Sequence, residues 1–141
     1  DIFTKEQISK SPKLMTNFLE TVWFENIDGK FKLKRFPVEA NFSSVNSILI
    51  DDFDDDGIKD ILMGGNSDYN RVRIGKCDSS FGIFLKGTDA GDFKFIENRL
   101  TDISFEGPVR SLNSYESNGK KRIVVGINNS YPLILTLEDG D

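Results

Sequence analysis

Six aspartates lie among the ten residues from Asp51 to Asp60, and their spacing is the clearest chemical signal in the chain. Two carboxylates about 4 Å apart repel each other by roughly 4 kcal/mol at an effective dielectric constant near 20. A bound dication reverses the sign of that interaction. Ca²⁺ accepts about six to eight oxygen ligands, and a tight loop supplies them from alternate residues.

Counted from Asp52, the loop reads Asp-x-Asp-x-Asp-Gly-x-x-Asp, which is the ligand order of a calcium-binding loop. Gly57 occupies the sixth position, where the chain must turn sharply and a positive φ suits glycine. The seventh position of such a loop contributes its backbone carbonyl. We therefore predict five calcium ligands, namely the carboxylates of Asp52, Asp54, Asp56 and Asp60 and the carbonyl of Ile58.

This loop has other possible interpretations, which assign helices to its flanks, a different metal ion to its centre, or no metal at all. A helix-loop-helix calcium motif requires a bidentate Glu at the twelfth position, which is Met63 here. The flanking residues 45–50 and 60–66 are short, isoleucine-rich runs, which predict buried strands and not helices. Mg²⁺ or Mn²⁺ fits less well than Ca²⁺ because a smaller ion demands stricter octahedral geometry. A solvated acidic turn without metal is the remaining alternative.

The composition is that of a soluble globular chain. Its 141 residues correspond to a single domain, and no apolar stretch is long enough to predict a membrane span. The net charge of −5 comes from the aspartate loop, whose six aspartates and Lys59 account for all of it. This acidic balance gives no electrostatic reason to bind nucleic acid, so we expect none as a partner.

The chain contains no histidine, which excludes histidine-based catalytic triads, general bases and histidine-ligated metals. The single Cys77 cannot form an internal disulfide or a zinc site by itself, and we interpret it as a chemically inert thiol. The sequence begins at Asp1 with no signal peptide, so we expect a processed chain or a piece of a longer one.

The N-terminal third predicts one short helix followed by a hairpin. Residues 4–7 form a capping box, and Ser11-Pro12 would end the helix, so residues 1–15 are interpreted as a linker. Alternation of apolar and polar residues over 17–25 predicts a strand, and a turn at 26–29 leads to a second strand at 30–34. Lysines alternate there with phenylalanine and leucine, which predicts that the lysine side faces solvent.

The pattern repeats along the chain. A second hairpin over residues 82–95 places Gly91 and Phe93 at a spacing of 62 from Gly29 and Phe31. The central strand pair recurs at residues 109–112 and 123–128, with the same spacing from Ile61 to Ile123. Between these last strands, the loop at residues 115–122 has lost the aspartates, so we predict a plain turn without metal. Self-similarity at a fixed period indicates a repeat architecture.

Units of four short antiparallel strands are typical of β-propeller blades. We predict an all-β fold with a short N-terminal helix, in which residues 16–141 form a propeller segment of about two blades. Such a segment cannot close a ring, which requires about four to eight blades, so it belongs to a longer propeller or closes with copies of itself. A small open β-sandwich is the structural alternative. The expected units are the end of one blade (16–37), a complete blade with the calcium loop (45–97), and a partial blade without one (107–137).

The run from Ile50 to Asn66 resembles the FG-GAP or VCBS repeat of integrin-α-like propellers, with its aspartate loop between two strands. The pair Phe81-Gly82 lies near the place of the family's Phe-Gly pair. Residues 16–137 are also similar to the C-terminal part of bacterial secreted repeat proteins with ASPIC/UnbV-type modules. The resemblance implies a calcium-stabilised propeller outside the cytoplasm, at an extracellular, periplasmic or outer-surface location, which serves adhesion, ligand display or scaffolding.

We therefore expect a calcium-binding module without catalytic activity, whose protein or glycan partner the sequence does not identify. An enzyme acting on polysaccharide is one alternative, in which Asp51 and Asp55 would serve as acid and base. Asp78 is expected to cap a turn. A lectin is the other alternative, and its sugar platform would consist of exposed Tyr69, Arg71, Arg73 and Tyr131.

Overall fold

The structure is a computed structural model that describes residues 2–68, 75–101 and 103–137. Strands predominate and form three antiparallel sheets, accompanied by one short α-helix, which confirms the predicted all-β class. Two short 3₁₀ turns, Val38–Asn41 and Asn98–Leu100, lie in the connections between sheets. The elements are α1 (Lys5–Lys10), β1 (Val22–Ile27), β2 (Lys30–Arg35), β3 (Val45–Asp51), β4 (Asp60–Gly65), β5 (Ile83–Gly87), β6 (Phe93–Ile96), β7 (Val109–Ser117), β8 (Lys120–Ile127) and β9 (Leu133–Thr136).

Helix α1 begins with the predicted capping box. The Thr4 hydroxyl accepts a hydrogen bond from the Gln7 backbone N–H at 3.2 Å, and the Gln7 side chain accepts one from the Thr4 N–H at 2.9 Å. The helix ends at Lys10. This end is expected, because Pro12 disfavours the helical conformation of the residue before it, Ser11. None of its residues is buried, so local capping defines this helix without help from packing.

The first hairpin differs from the prediction at both ends of its first strand. Strand β1 begins at Val22, so the predicted start near residue 17 is wrong. The turn is also shorter than predicted, because Asp28 and Gly29 both have positive φ values of 50° and 80°. A two-residue turn with positive φ at both positions fits the right-handed twist of the two strands that it joins. Asn26 and Ile27 therefore belong to the strand and not to the turn.

The middle sheet has the order β3-β4-β5-β6, and every neighbouring pair is antiparallel. This confirms the four strands predicted between residues 45 and 97. Strand β4 is buried along its whole length, whereas β3 alternates between half-buried and exposed residues. Full burial of β4 on both faces agrees with its nearly continuous apolar sequence.

The third sheet has the order β7-β8-β9. Residues 115–122, predicted as a loop, are mostly strand, because Tyr115 pairs with Arg122 and the ladder continues to Ser117 and Lys120. The connection is therefore shorter than predicted. Asn118 and Gly119, with φ values of 55° and 70°, form a two-residue turn that closes the hairpin.

The middle sheet buries apolar side chains on both of its faces. One face packs against the β1-β2 hairpin and the other against the third sheet, so the three sheets are stacked in chain order. The hairpin-side core contains Ala40, Ile61, Met63, Ile83 and Leu85, and the core toward the third sheet contains Leu62, Phe84, Ile103, Phe105, Val109, Leu112, Ile123 and Val125.

Aromatic rings attach the first hairpin to the middle sheet. The Trp23 ring lies 6.4 Å from Phe36 and 5.5 Å, edge-on, from Phe93 between centroids. Lys34 shares that side of the hairpin, because it pairs with Trp23 across the strands, and its ammonium lies 3.0 Å from Asp92. The prediction of a solvated lysine side is therefore wrong for Lys34, and Phe31 on the opposite side is 73% exposed.

Strands β3 and β7 run side by side, one from each of the two larger sheets. The Asn46 amide donates to the Val109 carbonyl at 3.2 Å near their first residues. The Ser114 hydroxyl donates to Asp51 at 3.1 Å near their last residues, so the strands point the same way. Such an arrangement is consistent with the inner strands of adjacent propeller blades. Within the described residues, the structure contains no helix long and apolar enough to cross a membrane.

Packing of the middle sheet generates a stability prediction. Leu62 is completely buried between the second and third sheets, so Leu62→Ala leaves a cavity and lowers the free energy of unfolding by about 2–5 kcal/mol. Urea denaturation followed by circular dichroism measures this loss. Leu14→Ala is the control, because Leu14 is 96% exposed and its truncation should change stability by less than about 0.5 kcal/mol. Equal effects of the two variants would contradict the described core.

Candidate metal centre

The aspartate loop connects β3 to β4 and is folded by its own carboxylates. The two oxygens of Asp52 accept hydrogen bonds from the backbone N–H groups of Asp56, at 3.1 Å, and Gly57, at 2.8 Å. One oxygen of Asp56 accepts from the Ile58 N–H at 2.8 Å. Gly57 has a φ of 86°, as the sequence predicted for the sixth position. The spacing of the aspartates thus produces a compact turn that returns the chain to the sheet.

Three of the predicted ligands converge. One carboxylate oxygen from each of Asp52, Asp54 and Asp60 lies within 4.8 Å of the other two. Calcium–oxygen distances are about 2.3–2.6 Å, so a single ion can contact oxygens up to about 5 Å apart. The three carboxylates therefore fit around one ion of this size, and they constitute an acidic triad able to hold a metal.

Asp60 differs from the other aspartates because it is completely buried. Its two oxygens accept hydrogen bonds from the backbone N–H groups of Phe53, at 3.1 Å, and Gly87, at 2.8 Å. Burial raises the pKa of Asp60, the two hydrogen bonds oppose this, and the nearby charges of Asp54 and Asp56 raise it further. Within the described part of the chain, no lysine or arginine forms an ion pair with this carboxylate.

Gly87 is a site residue that sequence reasoning missed. It ends β5 directly over the loop, and a Cβ added there would clash with the Lys59 carbonyl oxygen. Only glycine lets the strand approach closely enough for its N–H to reach Asp60. In the sequence, Gly87 has no signal beyond that of an ordinary strand end.

Asp56 and Ile58 do not belong to the converging triad. The Lys86 ammonium from β5 lies 3.0 Å from an Asp56 oxygen and also contacts Asp54. Its hydrogen bonds to Asp54 and then Asp56 raise the pKa of Lys86, and the pKa of Asp56 is lowered by the Ile58 N–H and then by Lys86. Lys86 thus partly neutralises the loop, and ligation by Asp56 and by the Ile58 carbonyl stays a prediction.

A second lysine approaches the loop from the third sheet. The Lys121 ammonium lies 3.7 Å from both Asp51 and Asp55, the two carboxylates considered as an acid–base pair, and donates to the Asp52 carbonyl. Although burial raises the pKa of Asp51, hydrogen bonds from the Asp52 N–H and Ser114, followed by the lysine charges, lower it overall. The loop is therefore attached electrostatically to the third sheet.

Of the residues considered for a sugar platform, Tyr131 alone lies within the described part of the chain. Tyr131 is 90% exposed, whereas residues 69, 71 and 73 lie outside the described residues. Asp78 is exposed, and the half-buried Cys77 pairs through its backbone with Ser67. No family model matches this chain, and neither does any curated protein or solved structure.

The position of Lys86 generates a prediction for the metal-free protein. Replacement by methionine in Lys86→Met leaves Asp54 and Asp56 without their ammonium, and their repulsion should lower stability by about 0.5–1 kcal/mol. Thermal unfolding in the presence of a chelator measures the loss. Lys94→Met is the matched control, because Lys94 is the exposed cross-strand partner of Lys86 and loses the same charge. An equal change in both variants would show that Lys86 has no specific role at the loop.

Proposed function

We propose that this chain is a calcium-binding module in which the ion lies at the aspartate loop and fixes the connection between β3 and β4. The observation that carries the proposal is the completely buried carboxylate of Asp60, which lies within 4.8 Å of oxygens from Asp52 and Asp54. A buried anion without a counter-ion costs several kcal/mol of stability. A dication at this point reverses that cost and the mutual repulsion of the three carboxylates together.

Calcium is the ion best suited to these donors. All are hard oxygen atoms, on a loop whose sixth residue, Gly57, already has the required positive φ. Rotation of the Asp56 side chain away from Lys86 would add a fourth carboxylate, and the Ile58 carbonyl a further oxygen. Calcium tolerates such an irregular shell of about six to eight oxygens, whereas magnesium requires near-octahedral geometry.

The location of the loop suggests what the ion does. Asp51 and Lys121 connect the loop to β7 and β8, so an ion there would stabilise the junction of two sheets as well as one turn. We infer a structural metal without a catalytic role. Extracellular calcium modules bind with Kd values of about 0.1–1 mM, a range in which calcium outside the cell keeps such sites occupied.

The resemblance to FG-GAP and VCBS repeats supports the same interpretation and extends it. It favours a segment of a β-propeller, displayed outside the cytoplasm, that serves binding, adhesion or scaffolding. The stacked sheets and the parallel course of β3 and β7 agree with neighbouring blades. We propose that further blades, from a longer polypeptide or from copies of this chain, complete the propeller.

Calcium should therefore stabilise the protein. With Kd values of about 0.1–1 mM, 10 mM calcium adds about 1.4–2.7 kcal/mol to the free energy of unfolding and raises the melting temperature. Asp54→Ala removes one oxygen of the triad and should abolish this shift. Asp89→Ala, in the exposed turn between β5 and β6, loses the same charge and should retain it. A melting curve of the unaltered protein that is identical in calcium and in chelator would contradict the proposal.

Competition between Lys86 and calcium gives a second prediction for the same site. The ammonium occupies positions beside Asp54 and Asp56 that ligation would require, so a bound ion must displace it. Lys86→Met should consequently bind calcium about tenfold more tightly, a change of about 1.4 kcal/mol. Isothermal titration calorimetry measures the affinity, with Lys94→Met as the control. Weaker binding by Lys86→Met would instead assign Lys86 a supporting role in the metal-bound loop.

A further inference from the structure

A pocket of about 350 Å³ opens at the end of the sheets opposite the aspartate loop. Its walls are Asp68, which follows β4, residues 106–108, which precede β7, and residues 127–130 at the end of β8. Its volume is at the lower end of the range of about 300–1,000 Å³ that is typical of small-molecule sites. Its polar lining residues are Asp68, Glu106, Asn128, Asn129 and Ser130.

The backbone around this pocket is held by hydrogen bonds. The Asn128 N–H donates to the Pro108 carbonyl at 2.9 Å, which joins two of the three wall segments. The buried Asn66 side chain donates to the Ser80 carbonyl at 2.6 Å and, more weakly, to the Gly107 carbonyl at 3.4 Å. A ligand would consequently meet a pocket that is already formed, which reduces the entropy lost on binding.

The chemistry of the lining indicates the ligand class. Carboxylates accept hydrogen bonds, and the Asn128 and Asn129 amides and the Ser130 hydroxyl can both donate and accept. Within the described part of the chain, neither asparagine side chain forms a hydrogen bond, so both amides are available. A hydroxyl group also donates and accepts, so a ligand with several hydroxyls matches this mixed set.

Other ligand classes fit less well. An anion would be repelled by Asp68 and Glu106, and a large apolar group would leave the polar groups without partners. A cation meets less negative charge than two carboxylates suggest, because the Lys76 ammonium lies 3.7 Å from Asp68. Pro108 and Ile127 add a small apolar surface, which suits the C–H face of a sugar ring.

We propose that this pocket binds a neutral, polyhydroxylated ligand of the size of a single sugar residue. The site is separate from the aspartate loop and shares no residue with it. Binding should therefore not depend on calcium. This assigns a recognition site to the end of the sheets where the β4-β5 and β8-β9 connections lie.

The test is a titration of the isotope-labelled 141-residue chain with methyl glycosides of glucose, galactose, mannose and N-acetylglucosamine, monitored by amide NMR shifts. We expect at least one glycoside to shift the backbone amides of residues 106–107 and 128–130 with a Kd of about 1–10 mM, equally in calcium and in chelator. Ethanolamine is the cationic probe. Shifts of these amides with ethanolamine alone, or with no probe up to its solubility limit, overturn the proposal.

Variants locate the contact. Asn128→Ala removes one amide while the backbone N–H that holds the pocket remains, and it should weaken glycoside binding about tenfold. Asn113→Ala, at an exposed position on β7, is the matched control and should bind normally. Unchanged affinity in Asn128→Ala, with a native circular dichroism spectrum, would overturn the assignment. Glycoside binding that disappears in chelator would place the sugar at the metal and also overturn it. A missing calcium shift in the melting temperature, by contrast, bears only on the function proposed for the loop.

Discussion

The buried carboxylate of Asp60 is the constraint on which the loop and its surroundings depend. It lies where β4 begins, and its two oxygens accept the N–H groups of Phe53 in the loop and Gly87 in β5. These bonds fix the positions of three chain segments relative to one another. They do not neutralise the charge, and desolvation of an unpaired carboxylate costs several kcal/mol. The fold therefore positions the loop accurately while leaving an electrostatic cost that a cation can remove.

Two lysines bring positive charge to this loop. Lysine ammonium groups arrive from neighbouring strands, with Lys86 beside Asp54 and Asp56 and Lys121 beside Asp51 and Asp55. Neither forms an ion pair with Asp60, and no other described residue does. The side chains of Asp52 and Asp60 have no lysine partner among the described residues, so a dication placed between them and Asp54 would act mainly on charges that the lysines leave unpaired. The lysines thus limit repulsion within the loop, and the proposed metal would compete with Lys86 for Asp54 and Asp56.

Local features of this chain were predictable from sequence, and relations between distant segments were not. The capping box at Thr4, the positive φ of Gly57 and the convergence of Asp52, Asp54 and Asp60 all follow from residues close together in sequence. The roles of Gly87 and Lys86 depend on β5 passing over the loop, which residue spacing does not specify. Alternation predicted a two-sided hairpin but gave the wrong side for Lys34, because the contact of Trp23 with Phe93 on another sheet decides which side packs.

The incomplete cover of the middle sheet bears on the choice between blade and sandwich. Ile48 and Ile50 lie on the hairpin side, as cross-strand partners of the buried Met63 and Ile61, yet they are 50% and 60% exposed. The hairpin contacts that face at Phe93, through the ring of Trp23. A two-layer sandwich would bury the whole of such a face, whereas a blade requires two more strands alongside β1 to cover it. The exposed isoleucines are therefore consistent with a blade of this kind.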